Sequence, residues 1–353
     1  MLSSLIAIPS FSREEGATCD ALEAWLVSNK ADSFGNQYPL QRVGNNLILE
    51  ERGRGDGRPV LLLNAHIDTV RPASGYTRDP FCASVEGDVL YGLGSNDDGG
   101  SLVALLAAFL ALVQRPQPYR LIYSATAEEE VCGREGIEKI LPLIGPVALG
   151  IIGEPTGMQM AVAERGLMVL DCVAHGKSGH AARSEGVNAL YEALPAIEWV
   201  RTYEFPRISP WLGPVGMNVT MIQAGTQHNV VPDECRFVVD VRPNGLYSNC
   251  ELLELIEAAL PSIEVRARST RLGSSSITCP GEGEHPVVRR GLELGLKAFG
   301  SPTCSNQTLC DFPTLKIGPG DSARSHSADE YIRLSEIRDG IDIFVRLLDN
   351  LEL

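Results

Sequence analysis

Three short, nearly unbroken apolar runs, at 59–66, 119–130 and 148–154, each end in residues rich in His, Asp or Glu. Runs of this kind fit strands buried on both faces, as in a parallel sheet covered by helices. Between the first two lies an apolar stretch at 101–113, long enough for a buried helix packed on that sheet. The alternation predicts an α/β domain with a doubly wound, mostly parallel sheet. In such sheets functional groups collect beyond the carboxyl ends of the strands, where the acidic and histidine clusters of this chain fall.

The texture changes near residue 164. A strand-like run at 167–174, a helix at 188–203, strands at 218–223 and 235–242, a helix at 250–260 and an alternating run at 263–268 follow one another. That β-α-β-β-α-β order predicts an inserted α+β unit of ferredoxin-like type. After a Ser- and Gly-rich stretch at 273–283, a helix at 287–299, a strand at 314–317 and an amphipathic helix at 336–348 read as the first domain resuming. The expected division is 1–163 plus 279–353 for the first domain and 164–278 for the insertion. Two domains suit 353 residues, because single cores stop growing at roughly 250 to 300 residues.

With 45 acidic against 30 basic residues, the net charge of -15 excludes nucleic acid as the expected partner, since that affinity comes from basic groups displacing counterions. The opening MLSSLIAIPSFS has no basic residue ahead of its apolar stretch, and Pro9 interrupts it early. It is expected to be the first helix of a cytoplasmic protein with no signal or membrane segment. Nine scattered cysteines form no CxxC pair, which predicts reduced thiols buried in cores.

Five constellations carry chemistry. The first is His66-Ile-Asp68-Thr at a strand end. Alone, such a histidine is more often structural, but a carboxylate two residues on can hold the second nitrogen of a ligating imidazole. The second is the glycine-rich turn ending in Asp97-Asp98-Gly-Gly. Either aspartate can cap the following helix, or bridge two cations through its two oxygens. The third is Glu128-Glu129-Glu130. Three adjacent acids usually mark a solvated turn, yet these follow a buried run, and buried carboxylates repel one another unless a cation or proton relieves them. One can then ligate while its neighbour serves as general base. The fourth and fifth are Gly153-Glu154-Pro-Thr and Ser325-His326-Ser-Ala-Asp-Glu330. Together they supply two histidines, a bridging aspartate and two glutamates at strand ends of one sheet, a donor set that Zn(II) accepts.

The series HxDT, glycine-rich turn to aspartate, double glutamate, GEPT, GHAA and late His before an acidic pair resembles the acetylornithine deacetylase and succinyl-diaminopimelate desuccinylase family of dinuclear zinc metallopeptidases. Carboxypeptidases, dipeptidases and aminoacylases share it, and the likeness runs from the first helix to the last. The resemblance implies two Zn(II) ions, with Co(II) as a substitute: one held by His66, Asp97 and Glu154, the other by Asp97, Glu130 and His326. It implies that Asp68 orients His66 and that Glu129 is the general base. It casts the insertion as a dimerisation and lid domain whose His180 reaches the active site of a partner in a homodimer, and gives Asn229 and Arg242 to the substrate. Unaided, His180 reads as a surface residue in a turn and Arg242 as a solvated strand end.

This chain departs from the family pattern in carrying Asp98-Gly99 where Met-Lys is usual, and Ser184 near the place of a usual proline. The expected activity is hydrolysis of a small-molecule N-acyl amino acid, an N-acetyl or N-succinyl derivative of ornithine or citrulline in arginine biosynthesis. The alternative is a dipeptidase or carboxypeptidase of the same family. A binding protein that has lost the chemistry is disfavoured, because every ligand position and Glu129 are retained.

Overall fold

A computed structural model describes residues 1–29, 38–51, 57–183, 185–277 and 284–353. Ser184, the substituted loop position, and Cys279 lie outside them. The chain divides into two compact units, Met1–Val162 with Ser276–Phe299 and Ser305–Leu353, and Ala163–Ser275 with Gly300–Cys304.

In the first unit a mixed sheet runs in the spatial order Leu40–Val43, Asn46–Glu50, Arg120–Thr126, Val60–His66, Leu149–Ile152, Thr314–Lys316, Met160–Glu164. The four strands from Arg120–Thr126 to Thr314–Lys316 are parallel to one another. Those outside them pair antiparallel. This is the α/β class that the apolar runs predict. Val60–His66 and Arg120–Thr126 are buried at every position, because helices cover both faces of the sheet.

Alternation along the strands divides the core. Leu61, Leu63, Leu121 and Tyr123 meet Leu105 and Phe109 of helix Gly99–Leu112 and Phe344 of helix Leu334–Leu348. Val60, Leu62 and Ile122 meet Ile137, Ile140 and Ile144 of helix Ile137–Ile144 on the opposite face. Each such aliphatic side chain contributes about 1.5 to 3 kcal/mol when fully buried, so the sheet is a stiff platform for whatever its strand ends carry.

The helix expected at 287–299 is shorter, running Pro286–Glu293. Gly295 stops it in the left-handed conformation at φ 85°. The amide of Gly295 donates to Leu292 and that of Leu296 to Gly291, the paired bonds of a glycine-terminated helix end. Ala298–Ser301 is then extended. The cysteines also differ from expectation. Cys19, Cys172 and Cys235 are buried, whereas Cys82 and Cys250 are exposed.

In the second unit four antiparallel strands take the order Gly216–Ala224, Glu234–Arg242, Met168–His175, Ile263–Ala267. Helices Ala189–Thr202 and Asn249–Ala259 supply the ferredoxin-like pattern of elements. Met168, Leu170, Cys172 and Ala174 alternate inward and pack with Ala189, Ala193 and Ala196. Asn188 and Ser248 cap the two helices by accepting the amides of Leu190 and Glu251. Among the described residues no helix is long and apolar enough to cross a membrane.

Candidate active site

Strand Val60–His66 ends on His66, which lies in register with Thr126 at the end of its parallel neighbour. The His66 Nδ1–H donates to the carbonyl oxygen of Asp68 at 2.9 Å. The Asp68 carboxylate, expected to orient this ring, stands farther away at 3.5 Å. Nε2 faces Asp97 Oδ1 at 3.2 Å. The Asp68 carboxylate also holds backbone: its two oxygens accept the amides of Glu129 at 3.0 Å and Glu130 at 3.2 Å, with a bond from Ser12 Oγ at 2.8 Å. Buried Glu15 accepts the amide of Glu128 in the same way at 3.2 Å.

The acidic turn is therefore anchored amide by amide. Left-handed Glu128 and Cys132, at φ 57° and 46°, bend the chain into and out of a single 3-10 turn, Glu129–Val131. Such conformations persist where surrounding bonds over-determine them. The two carboxylates that follow are set beside His66, with Glu129 Oε2 at 4.0 Å from His66 Nε2.

Asp97 lies just before helix Gly99–Leu112. Its two oxygens are divided between the two histidines: Oδ1 faces His66 at 3.2 Å and Oδ2 faces His326 Nε2 at 3.6 Å. His326 also meets Glu130 Oε2 at 3.0 Å. Asp98 occupies the helix N-cap position but makes no side-chain capping bond, and burial pushes its carboxyl up to about 7. Glycine is required at the start of this helix, because a Cβ on Gly99 would come within 2.4 Å of the Gly94 carbonyl oxygen. The lysine usual at that position in the family has no room here.

Donor atoms of His66, Asp97 and Glu130 all lie within 4.8 Å of one another, and so do those of His66, Glu129 and Glu154. The second group holds Glu129 where the family pattern would place Asp97. The electrostatics of the cluster are those of a site short of positive charge. Burial pushes the carboxyls of Glu129, Glu130 and Glu154 above the usual range. The Glu130 hydrogen bond pulls His326 up to about 9. Burial opposes a proton on His66, yet its bonds to Asp68 and Asp97 outweigh that and hold it well above 6.5. Burial likewise opposes charge on Asp97, and pairing with His66 still holds that carboxyl below 3.8. Two imidazoles among four crowded carboxylates are hard-oxygen and nitrogen donors that fit divalent cations, which would replace the protons these groups otherwise compete for.

Several supporting residues are absent from the sequence reading. Asn64, Ser124, Thr126 and Asn306 form a buried polar network below the strand ends, with bonds of 2.9 to 3.2 Å. Asn64 and Ser124 were visible as polar residues inside otherwise apolar strands. Glu15 lies in no motif, and Glu330 enters the sequence pattern only as the end of the acidic pair after His326.

The remaining candidates belong to the second unit. His180 and Val230 pair in a two-residue ribbon, and the Asn229 carbonyl accepts the Ala181 amide at 3.0 Å, so His180 and Asn229 are neighbours on an exposed edge. Arg242 is forked onto Asp240 at 2.6 and 3.0 Å, leaving its guanidinium partly committed within its own strand.

The sequence matches the family described as "Peptidase family M20/M25/M40" over residues 62–350. It is 31% identical to the acetylornithine deacetylase of Pectobacterium carotovorum subsp. carotovorum (strain PC1), over 93% of this chain and 91% of that protein. It is 26% identical to the succinyl-diaminopimelate desuccinylase of Cereibacter sphaeroides (strain ATCC 17025 / ATH 2.4.3), over 99% and 97%. Among solved structures, aminopeptidase PepT from Bacillus cereus ATCC 10987 superposes with a TM-score of 0.76 at 18% identity, covering 99% of this chain and 96% of that one.

Proposed function

The chain belongs to peptidase family M20/M25/M40 and is a metal-dependent hydrolase, and from that premise we propose that it is a cytoplasmic, dinuclear N-acyl amino acid deacylase. Its substrate is an N-acetyl or N-succinyl derivative of ornithine or citrulline, and its place is in arginine biosynthesis. Similarity to acetylornithine deacetylase over most of both chains supports the substrate class. Free thiols at Cys19, Cys82, Cys172, Cys235 and Cys250 suit a reducing compartment.

The observation that carries the two-cation reading is the division of Asp97, one oxygen toward each histidine, at 3.2 and 3.6 Å. His66, Asp97 and Glu154 would hold one ion and Asp97, Glu130 and His326 the other, with Zn(II) the favoured metal for imidazole and carboxylate donors and Co(II) a substitute. When bound, the ions would acidify a water molecule and polarise the scissile carbonyl. Glu129, buried beside His66, would take one proton from the attacking water as the water oxygen joins the acyl carbon. It returns the proton to the amine nitrogen as the C–N bond breaks, giving a carboxylic acid and the free amino acid. His180 of a second copy supports the oxyanion, while Asn229 and Arg242 contact the substrate.

The homodimer this needs is supported by the edge strand Gly216–Ala224, where Met221 and Ile222 are exposed by 65% and 52%. Apolar side chains on an unpaired edge favour strand pairing with another chain.

The test is amine release by zinc-loaded protein from N-acetyl and N-succinyl ornithine and citrulline, with dipeptides alongside. Selective turnover of one acyl amino acid is expected. A preference for dipeptides would move the chain to the exopeptidase branch, and turnover of none would remove the deacylase reading.

A further inference from the structure

Glu330 is 2% exposed and its carboxylate lies beside Asp97, an arrangement that burial alone disfavours. Three backbone amides explain it. Oε1 accepts the N–H groups of Asn96 and Asp97, both at 2.9 Å, and Oε2 accepts that of Gly94 at 2.9 Å. Its own carbonyl accepts the Gly92 amide at 3.0 Å. Asn96 fastens the same loop from the other side: Oδ1 accepts the Asp321 amide at 2.9 Å, and Nδ2 donates to the Asp321 carbonyl at 3.1 Å and to Ser325 Oγ at 3.3 Å. The loop bearing Asp97 and the segment bearing His326 are thus stitched together on both flanks.

His326 needs this support more than His66 does. His66 ends a fully buried strand, whereas the His326 side chain is 53% exposed, and its backbone is left-handed at φ 57°, as is that of Asp329 at 54°. Little packing fixes it, so the bonds that tie its segment to Gly94, Asn96 and Asp97 decide where its imidazole stands.

We propose that Glu330, with Asn96, is a positioning residue that sets Asp97 against His326 and thereby creates the second of the two cation positions. The inference rests on the two-cation reading above. A carboxylate is required at 330 because three N–H donors converge on two acceptor oxygens. A carboxamide has one acceptor oxygen, and its amino group would meet a donor with a donor.

The experiment is calorimetric titration of Co(II) into chelator-stripped, full-length protein, with the visible Co(II) spectrum recorded at each equivalent and the melting temperature of each metal-free protein measured. Wild type is expected to take two ions. Glu330→Gln should keep one near wild-type affinity and lose about 10- to 100-fold on the other, the usual range for outer-sphere partners of a metal site. The spectrum of the second equivalent should be weakened selectively. Asn96→Ala should do the same, and serves if Glu330→Gln does not fold. Two ions bound at wild-type affinity in both variants would overturn the proposal, as would equal weakening of both ions with a lower melting temperature, the mark of a purely structural role. Wild type binding no cation would instead sink the two-cation reading itself, and this inference with it.

Discussion

Between Asp97 and Asp98, adjacent and chemically identical, position divides the work. Asp97 faces both histidines, while Asp98 is sealed at the start of the following helix. Glu129 and Glu130 are separated in the same way, since Glu130 pairs with His326 and Glu129 stands near His66 with its carboxyl pushed well up by burial and by the neighbouring acids. Glu129→Ala should lower turnover by about 10²- to 10⁴-fold, the range expected for loss of a general base. Bound metal, read by elemental analysis, should not change. Removing one crowded carboxylate should also leave the melting temperature of the metal-free protein equal or higher. Near wild-type turnover would assign the proton transfer elsewhere. The double glutamate after an apolar run was legible in the sequence as a site. What the sequence concealed is how Asp68 and Glu15 grip the turn by its amides, because a carboxylate's choice of backbone partner is set by distant segments.

At the scale of elements, the buried runs were readable because an uninterrupted apolar strand has one stable use, at the centre of a covered sheet. The hairpin Leu40–Val43 to Asn46–Glu50 escaped notice although Gly44, at φ 63°, marks its turn. The apolar spacing predicts a helix to residue 299, past the glycine that ends helix Pro286–Glu293. That helix yields a test of pH dependence. His285 caps it by accepting the Val287 amide on Nδ1 at 3.3 Å, a bond that only the neutral ring can make. Burial lowers the His285 pKa below 6.5. Protons therefore bind more readily to the unfolded chain: the contribution is fully present above 6.5 and is lost as pH falls through the depressed folded value. His285→Asn retains an acceptor but does not titrate. Its melting temperature should fall less between about pH 7 and pH 5 than that of wild type. The difference should amount to no more than a helix cap, about 1 kcal/mol. Parallel melting curves for the two proteins would remove His285 from this role.

At the scale of the whole molecule, two cores of different construction are threaded by one chain that leaves the first unit and returns to it. The change from long apolar runs to alternating strands reflects the two constructions, because a covered sheet and a sheet with one exposed face demand different residue patterns. The edge strand of the second unit carries the prediction at this scale. Met221→Asp, placing a charge on an apolar edge, should convert a dimer to a monomer by light scattering, with the fold of each unit retained by circular dichroism. A wild-type protein that is already monomeric would leave His180 without the second copy proposed for it.

Fold class, the ferredoxin-like order of elements and the gathering of His66, Glu129, Glu130 and Glu154 at or just past strand ends were legible in the sequence alone, whereas Asp97 precedes a helix and His326 follows a 3-10 turn. Each follows from local periodicity and from the scarcity of charged residues inside buried strands. Only the tertiary structure decided which aspartate faces both histidines, which carboxylates hold backbone amides, and how residues 94–97 are tied to 321–330. The last of these depends on bonds between segments more than 200 residues apart, and no local pattern encodes the meeting of two particular loops.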